Sequence, residues 1–387
     1  MSSNGTAFIA GVYEHPGRVL PDKSVSQIHA EVALGALADA GLSLADVDGY
    51  FCATDAPGAG AFSMAEYMGL RVSFMDSTDS GGASPLCHVG HAAAAIAAGK
   101  CSVALITLGG KPRTGTGPER TDMSPPEASF EQVFGPSLTA SGYALAARRH
   151  MYEYGTTSEQ LAEVKVAASI HAQYNPNAFL KKVLTVEEVL DSPMVCDPLH
   201  RDDCCVVTDG GGALVVVSPE VARTLARQSV KLLGHGESPK HSNGGRIDLT
   251  HTGAVYSAPA AFEEAGVGRG DIDYASIYDS FTITVVQLIE DIGFCEKGEG
   301  GRFVLDGALV APFGKLPFNT DGGGLCNNHP MNRGGMTKVI EAVRQLRGEA
   351  HPKVQVPDCE IALAQGNGGN LGMRSGAATL ILGREDA

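Results

Sequence analysis

At 387 residues the chain is longer than one hydrophobic core ordinarily supports, so two domains of similar size are the first expectation. Its formal charge of −15 argues against nucleic acid and anionic membrane surfaces as partners. The nine cysteines include no Cys-x-x-Cys pair, which fits neither a zinc ribbon nor a disulfide framework. No apolar run reaches about 18 residues. We therefore expect a reduced cytoplasmic protein that neither binds a metal nor enters a membrane.

Short apolar runs alternate with helical patterns along the chain, which predicts an α/β layered fold. In chain order, the predicted strands are Phe8–Val12, Val103–Leu108, Ala213–Val217, Ile361–Ala364 and Ala378–Leu382. The predicted helices are Ser26–Ala40, His88–Ala98, Ser158–Ala172 and Met336–Arg347. Several strands are apolar at every position, as expected for strands that are covered on both faces.

Two segments of the first half recur in the second half, in the same order. Residues 36–48 (ALADAGLSLADVD) resemble 261–273 (AFEEAGVGRGDID), and residues 101–105 (CSVAL) resemble 359–363 (CEIAL). Such a repeat predicts a duplicated unit. We place the first half at residues 1–225 and the second at 226–387. Within the first half, proline and amphipathic helices replace buried strands at about residues 111–200, which predicts an inserted loop domain of the kind that often covers ligands.

Glycine is abundant, at 49 residues, and it clusters beside predicted strands. We interpret the clusters as tight turns where the backbone approaches something closely. In α/β folds, strand ends and helix N-termini collect ligand groups because free N–H groups and the helix dipole favour negative charge. The candidate segments, three of them glycine-rich, are residues 79–84 (DSGGAS), 278–281 (YDSF), 319–330 (NTDGGGLCNNHP) and 364–369 (AQGNGG).

Four motifs in the same order as in a known family carry a resemblance over nearly the whole chain. They are residues 154–161 (YGTTSEQL), 175–178 (NPNA), 209–215 (DGGGALV) and 323–330 (GGLCNNHP). On these motifs the chain resembles the thiolase superfamily, in particular sterol-carrier-protein-type thiolases and their lipid-transfer relatives. The resemblance implies a five-layered αβαβα fold, a homodimeric core and acyl-coenzyme A substrates. Coenzyme A would then be the substrate carrier, with no permanently bound cofactor and no metal.

The chain departs from the family where a thiolase carries its cysteines. The nucleophilic cysteine corresponds to Gly82, and the second cysteine, in a Cys-x-Gly motif, corresponds to Ala364. The family's Asn-Glu-Ala-Phe or His-Asp-Cys-Phe box is the segment that begins at Tyr278 here, and His329 is the one usual catalytic side chain that is kept. Without a thiol at position 82 an acyl-enzyme cannot form there, because covalent catalysis needs its nucleophile within reach of the carbonyl.

The remaining groups still resemble an active site. In the family, the main-chain N–H groups that correspond to Gly82 and Gly366 hold the thioester oxygen, and Asn328 is a further candidate for substrate binding. Tyr278 and His329 are candidates for moving protons. Together, the main-chain donors and the two proton-transferring side chains predict retro-aldol cleavage of a β-hydroxyacyl-coenzyme A, in lipid or aromatic degradation.

Steroid side-chain aldolases of the superfamily resemble the chain in having a tyrosine at the position of Tyr278. They carry a second tyrosine just before the histidine, where this chain has Asn327 and Asn328. Relatives without the cysteine often work with a small zinc-ribbon, OB-fold acyl-coenzyme A-binding protein. The resemblance therefore implies such a partner here.

Two other functions stay open at this point. One is a variant thiolase or acyltransferase that acts on a β-ketoacyl-coenzyme A and uses Cys326 as an alternative nucleophile. The other is a non-catalytic acyl-coenzyme A-binding subunit. A further thiol–base pair is suggested by Cys87 and His91, which lie one helical turn apart, but their apolar neighbours favour core packing.

Overall fold

A computed structural model describes residues 4–54, 56–115, 135, 139–240, 248–330, 334–369 and 375–385. Within these ranges the strands are β1 Phe8–Glu14, β2 Gly49–Phe51, β3 Phe74–Asp76, β4 Val103–Gly110, β5 Met194–Cys196, β6 Leu199–His200, β7 Gly210–Val217, β8 Val230–Lys240, β9 Tyr274–Ile277, β10 Ile361–Gly369 and β11 Ser375–Arg384. The α-helices are α1 Val25–Ala40, α2 Ala61–Met68, α3 Ser84–Ala97, α4 Thr139–Tyr154, α5 Ser158–Ala172, α6 Val186–Leu190, α7 Pro219–Ala222, α8 Ala254–Ala265, α9 Thr282–Ile292, α10 Gly300–Phe303 and α11 Gly334–Leu346.

One mixed sheet runs through both halves of the chain, in the order β3-β2-β4-β7-β1-β8-β11-β10-β9. Its first five strands come from the first half and its last four from the second. The two parts join where β1 meets β8, through the residue pairs Phe8–Lys231 and Ile9–Val230. The predicted boundary between residues 225 and 226 falls between α7 and β8, and it stays a prediction.

Alternate residues along each strand pack into different hydrophobic layers. On β4, Leu105 packs with α1 on the outer side, while Ile106 packs into a central layer that contains α3 and α11. These two helices contact strands of both parts of the sheet. On β10, Leu363 belongs to the outer layer with α8 and α9. The order is helix, sheet, helix, sheet, helix, which is the expected αβαβα architecture.

The sequence repeat has the same local structure in both halves. Helix α1 ends at Gly41, with φ 73°, and a 3-10 turn at Leu44–Asp46 leads into β2. Helix α8 ends at Gly266, with φ 71°, and a 3-10 turn at Arg269–Asp271 leads into β9. Both glycines adopt the left-handed conformation that ends a helix and that side-chain-bearing residues rarely take. The repeat is therefore structural.

Two of the glycine clusters do not form the tight turns that the sequence suggests. Residues 210–212 open strand β7, and residues 366–369 complete β10, whose predicted end is Ala364. Pairing with β11 keeps the second cluster extended. The expected close approach is correct, since a Cβ atom at Gly211 would collide with the carbonyl oxygen of Leu108, and one at Gly368 with that of Ser80. The glycines allow neighbouring backbone segments to lie in close contact, and they do not form turns.

The predicted loop domain contains α4, α5 and α6 and the short hairpin of β5 and β6. Helices α4 and α5 pack onto α9 of the second half in the same outer hydrophobic cluster. Residues 116–134 and 136–138 of this predicted domain lie outside the described residues. Helix α3 begins at Ser84, one turn before the predicted start at His88, with Pro85 in its first turn. None of the helices in the described part of the chain is both long and apolar enough to cross a membrane.

The contact between α11 and the turn before α3 gives a stability test. A Cβ atom at Gly335 would overlap the carbonyl oxygen of Gly82, so Gly335→Ala should lower the free energy of unfolding by about 1–3 kcal/mol or more. Gly270→Ala is the matched control because a Cβ atom there meets nothing within 4 Å, and it should change stability by less than about 0.5 kcal/mol. Urea denaturation measures both. Equal stabilities of the two variants would contradict this packing.

Candidate active site

Three glycines from separate segments meet at the centre of the molecule. Gly82 lies in a 3-10 turn, Gly81–Ala83, that leads into α3. The Asp79 carboxylate accepts a hydrogen bond from the Gly81 N–H at 2.9 Å, which fixes the entrance to this turn. Cβ atoms at Gly335 and Gly366 would crowd the same Gly82 carbonyl oxygen. The main chain of the first half is thus brought against α11 and β10 of the second.

The ring of Tyr278 lies directly against Gly82. Tyr278 follows β9, and its N–H donates to the Gln365 carbonyl oxygen of β10 at 3.0 Å. A Cβ atom on Gly82 would fall well inside van der Waals distance of the Cε2 and Cζ atoms of the Tyr278 ring. The phenol therefore fills the space that a side chain at position 82 would need. Glycine fits at this position because a side chain there would meet both the Tyr278 ring and the carbonyl oxygen of Asn367.

Tyr278 and His329 form a buried phenol–imidazole pair. The Oη atom of Tyr278 lies 3.0 Å from Nε2 of His329, and the two rings meet edge to face with centroids 5.6 Å apart. Burial lowers the pKa of His329 to about 4 and raises the pKa of Tyr278 well above 10.0. At neutral pH the imidazole is uncharged and the phenol is protonated, so Nε2 can accept the phenolic hydrogen.

Asp279 connects this pair to the loop that carries His329. Its carboxylate accepts hydrogen bonds from the N–H groups of Gly324 at 2.9 Å and Leu325 at 3.2 Å. The ammonium of Lys338, which projects from α11, lies 2.6 Å from the same group, at Oδ1. Both charged side chains are buried, where an unpaired ion would be strongly destabilising. The pair therefore fixes the His329 loop between the strand end and the helix.

A second set of polar contacts holds His329 from the first half of the chain. The Thr208 hydroxyl accepts from the His329 N–H at 3.0 Å and donates to Oδ1 of Asn328 at 2.7 Å. Nδ2 of Asn328 donates to Glu14 at 2.9 Å, and Arg18 donates to the same carboxylate at 2.7 Å. Burial raises the pKa of Glu14, but the Arg18 charge and the amide donors outweigh it and keep that pKa below its usual value. The protein itself uses both ends of the Asn328 amide, and its substrate-binding role stays a prediction.

Both candidate thiols, Cys326 and Cys87, are buried. Cys326 is buried in the outer hydrophobic cluster with Ala172, and burial raises its pKa, which disfavours the thiolate that a nucleophile requires. Cys87 contacts the Ser80 hydroxyl, with 3.2 Å between the sulfur and oxygen atoms. His91 lies instead between Asp76 at 2.5 Å and Glu237 at 3.2 Å. His91 makes no thiol–base pair with Cys87. The core-packing interpretation is correct for Cys87, which is buried, and wrong for His91, which is partly exposed and paired with two carboxylates. All nine cysteines are free thiols.

Four of the predicted site residues come together: Gly82, Tyr278, His329 and Gly366. The alanine at 364 is buried in the central layer and offers no reactive group. Sequence reasoning missed Asp279 and Lys338. Asp279 was visible in the segment 278–281, directly after the tyrosine. Lys338 carries no such signal, because a lysine within a helical pattern ordinarily lies on the solvated side.

Comparison with known proteins gives the family. The model of the "Thiolase C-terminal domain-like" family matches residues 236–384. The acetyl-CoA acetyltransferase of Methanothermobacter thermautotrophicus is 34% identical over 94% of this chain and 96% of its own length. The 17-hydroxy-3-oxo-4-pregnene-20-carboxyl-CoA lyase of Mycobacterium tuberculosis is 35% identical over 89% of this chain and 92% of its own. A solved structure of an Ltp2-ChsH2(DUF35) aldolase matches with a TM-score of 0.89 and 32% identity, over 99% and 98% of the two chains.

The chain belongs to the thiolase superfamily, in the subgroup that contains the sterol-carrier-protein-type thiolases and the side-chain-cleaving aldolases. The predicted family and fold are thereby confirmed. The expectation of an acyl-coenzyme A enzyme that makes or breaks a carbon–carbon bond is also confirmed, since the relatives are named as acyltransferases, lyases and aldolases.

The exclusion between position 82 and the Tyr278 ring can be measured with a double-mutant cycle. Gly82→Ala should lower the free energy of unfolding by about 1–3 kcal/mol or more, because the new methyl group overlaps the ring. In a Tyr278→Ala background the same substitution should cost less, since the overlap with the ring is gone and only the overlap with the Asn367 carbonyl oxygen remains. Thermal or urea denaturation of the four proteins gives the coupling energy. Additive effects would show that the ring does not occupy this space.

Proposed function

We propose that the chain cleaves a β-hydroxyacyl-coenzyme A by a retro-aldol reaction, with Tyr278 and His329 carrying the proton. The observation that supports this most strongly is the 3.0 Å contact between Tyr278 Oη and His329 Nε2, placed against Gly82. The Tyr278–His329 pair, to which we assign proton transfer, lies where a thiolase has its nucleophilic cysteine. A retro-aldol reaction needs a base and later an acid, and it needs no covalent intermediate.

The reaction balances with these groups alone. Tyr278 takes the proton of the β-hydroxyl as its own phenolic proton passes to Nε2 of the neutral His329. The β-oxygen becomes a carbonyl, the bond between the α- and β-carbons breaks, and its electron pair forms the thioester enolate. The proton then returns through Tyr278 to the α-carbon. The products are an aldehyde or ketone and a shortened acyl-coenzyme A.

The enolate oxygen needs hydrogen-bond donors, and we assign this role to the main-chain N–H groups of Gly82 and Gly366. Both glycines lie at the point where the two halves meet, and Ala83 is the nearest main-chain neighbour of a Cβ atom built on Gly366. One such donor is worth roughly 2.7–4 kcal/mol to a developing oxyanion. Neither role requires a side chain, which agrees with glycine at both positions.

The substrate class agrees with the name of one relative. The Mycobacterium tuberculosis lyase is named for a coenzyme A ester with a hydroxyl at carbon 17 and the carboxyl on carbon 20. Carbon 20 is bonded to carbon 17, so the compound in this relative's name is itself a β-hydroxyacyl-coenzyme A. We extend that class to this chain, with coenzyme A as substrate carrier.

We also propose the assembly that the relatives suggest. The solved aldolase is named as an Ltp2-ChsH2(DUF35) pair, which supports the predicted small acyl-coenzyme A-binding partner protein. A homodimer is supported by the edge of the sheet, because among the described residues β3 pairs on one side only, with β2. A cytoplasmic location remains a prediction.

Substitution of the pair tests the reaction. Tyr278→Phe keeps the ring but removes the proton carrier, and it should lower kcat for a β-hydroxyacyl-coenzyme A by about 100-fold or more, as should His329→Ala. Cys326→Ser is the matched control, and it should leave cleavage unchanged. The measurement is release of the carbonyl product from full-length protein, with and without its partner protein.

Two outcomes would overturn this proposal in different directions. Cleavage of a β-ketoacyl-coenzyme A alone, dependent on free coenzyme A and lost in Cys326→Ser, would establish the variant thiolase. Unchanged activity of the assembled complex after both Tyr278→Phe and His329→Ala would establish a non-catalytic subunit.

The pH profile is a separate test, because it depends on the buried state of His329. The base must be neutral, and its pKa is lowered to about 4. We therefore expect kcat/KM to stay level from neutral pH down to roughly one unit above that pKa, and to fall as His329 gains a proton below it. Circular dichroism at each pH separates this fall from unfolding. An acid limb near the ordinary histidine value of about 6.5 would contradict the burial of the base.

A further inference from the structure

Asn367 is a buried amide that the protein leaves unused. It lies on β10 between Gly366 and Gly368, and its relative exposure is 1%. Neither its Oδ1 nor its Nδ2 atom has a hydrogen-bond partner among the residues that the structure describes. Leaving a polar group buried and unpaired costs about 1–3 kcal/mol of stability. An apolar residue at this position would avoid that cost.

The neighbouring amide shows that the fold can satisfy such a group. Gln365 lies two residues earlier on the same strand and therefore faces the same side of the sheet. Its Oε1 accepts from Thr379 at 2.5 Å, and its Nε2 donates to the Gly366 carbonyl oxygen at 3.0 Å. Thr379 in turn contacts Ser257 of α8, at 2.9 Å. The protein thus gives each end of the Gln365 amide a partner and leaves both ends of the Asn367 amide without one among the described residues.

The unpaired side-chain amide of Asn367 belongs to a residue beside the proposed reaction centre. Gly366 and Gly368 face the turn that contains Gly82, because Cβ atoms on them would meet Ala83 and Ser80. The main-chain oxygen of Asn367 itself lies against Gly82. Strand alternation turns the Asn367 side chain to the opposite face.

Tyr278 and Tyr143 belong to the outer hydrophobic cluster, which also contains Leu363, four residues before Asn367 on the same side of β10, and the Tyr278 ring extends from this cluster to Gly82. Tyr278 follows the neighbouring strand and hydrogen-bonds the Gln365 carbonyl oxygen. Tyr143 of α4 donates to the Gly369 carbonyl oxygen at 3.3 Å and stacks on Phe281, with ring centroids 4.1 Å apart. The Asn367 amide therefore faces the same side of β10 as the cluster that contains these two tyrosines.

We propose that Asn367 is a substrate-binding residue whose Nδ2 donates a hydrogen bond to the oxygen on the β-carbon of the acyl group. This inference rests on the proposed retro-aldol function and specifies its substrate recognition. The β-oxygen accepts a hydrogen bond both as the hydroxyl of the substrate and as the carbonyl of the product, so one donor serves throughout. Because Nδ2 donates to the β-oxygen, the hydrogen of the β-hydroxyl points away from Asn367 and is available to Tyr278.

The test compares binding of β-hydroxyoctanoyl-coenzyme A with that of octanoyl-coenzyme A, which lacks the β-oxygen. Isothermal titration calorimetry is carried out in a Tyr278→Phe background, in which turnover should be slowed by about 100-fold or more. The chain with Asn367 should prefer the hydroxylated probe. Asn367→Leu, which has the same number of side-chain heavy atoms, should lose about 10-fold or more in affinity for that probe and bind octanoyl-coenzyme A unchanged. Asn367→Ala is the second variant and should show the same loss.

Thermal stability separates substrate binding from a structural role. Asn367→Leu should raise the Tm, because it removes an unpaired buried amide, whereas a structural asparagine would lower it when replaced. Equal affinity of the Asn367 protein for the two probes would overturn the inference, and so would a lowered Tm with an unchanged preference. Because binding is measured in the Tyr278→Phe background, where turnover is slowed, failure of the retro-aldol reaction shows separately, as absent product release with an intact hydroxyl preference.

Discussion

The centre of this molecule depends on one steric constraint, that the Tyr278 ring and a side chain at position 82 cannot be present together. A thiolase places a nucleophilic sulfur on the first turn before its central helix. Here a phenol from the other half of the chain enters that space, and only a glycine allows it. In the mechanism that we propose, proton transfer from across the interface between the halves replaces covalent chemistry at the turn, and the main-chain N–H groups of Gly82 and Gly366 still hold the thioester oxygen.

The buried ion pair of Asp279 and Lys338 holds the segments around Tyr278, His329 and Gly82 in position. It connects the residue after Tyr278, the loop before His329 and the helix that packs on Gly82. It also acts on the chemistry, since the Asp279 charge favours a proton on His329 and the Lys338 charge opposes it. The two effects oppose each other, so burial is what holds the imidazole neutral. The same pair of residues thus supports the His329 loop and acts on the pKa of the imidazole that we propose as the base.

The parts of the site that could be predicted from sequence are those with a local signal. The repeated helix–turn–strand, the apolar strands, Gly82, Tyr278 and His329 all follow from motif and order. The course of residues 366–369 could not be foreseen, because a local preference of glycine for turns was overridden by pairing with β11. The roles of Lys338 and Asn367 depend on burial that arises only when distant segments pack, and neither residue type suggests it.

The exclusion between position 82 and position 278 also limits how such a site can change over evolutionary time. A cysteine introduced at 82 while the tyrosine stays would collide with the ring, and loss of the tyrosine while the glycine stays would leave neither nucleophile nor phenol. Under the proposed mechanism neither single step keeps a working site. A return to cysteine at 82 would therefore need both a change at 278 and a shift of the β10 main chain at Asn367, whose carbonyl oxygen lies equally close to position 82.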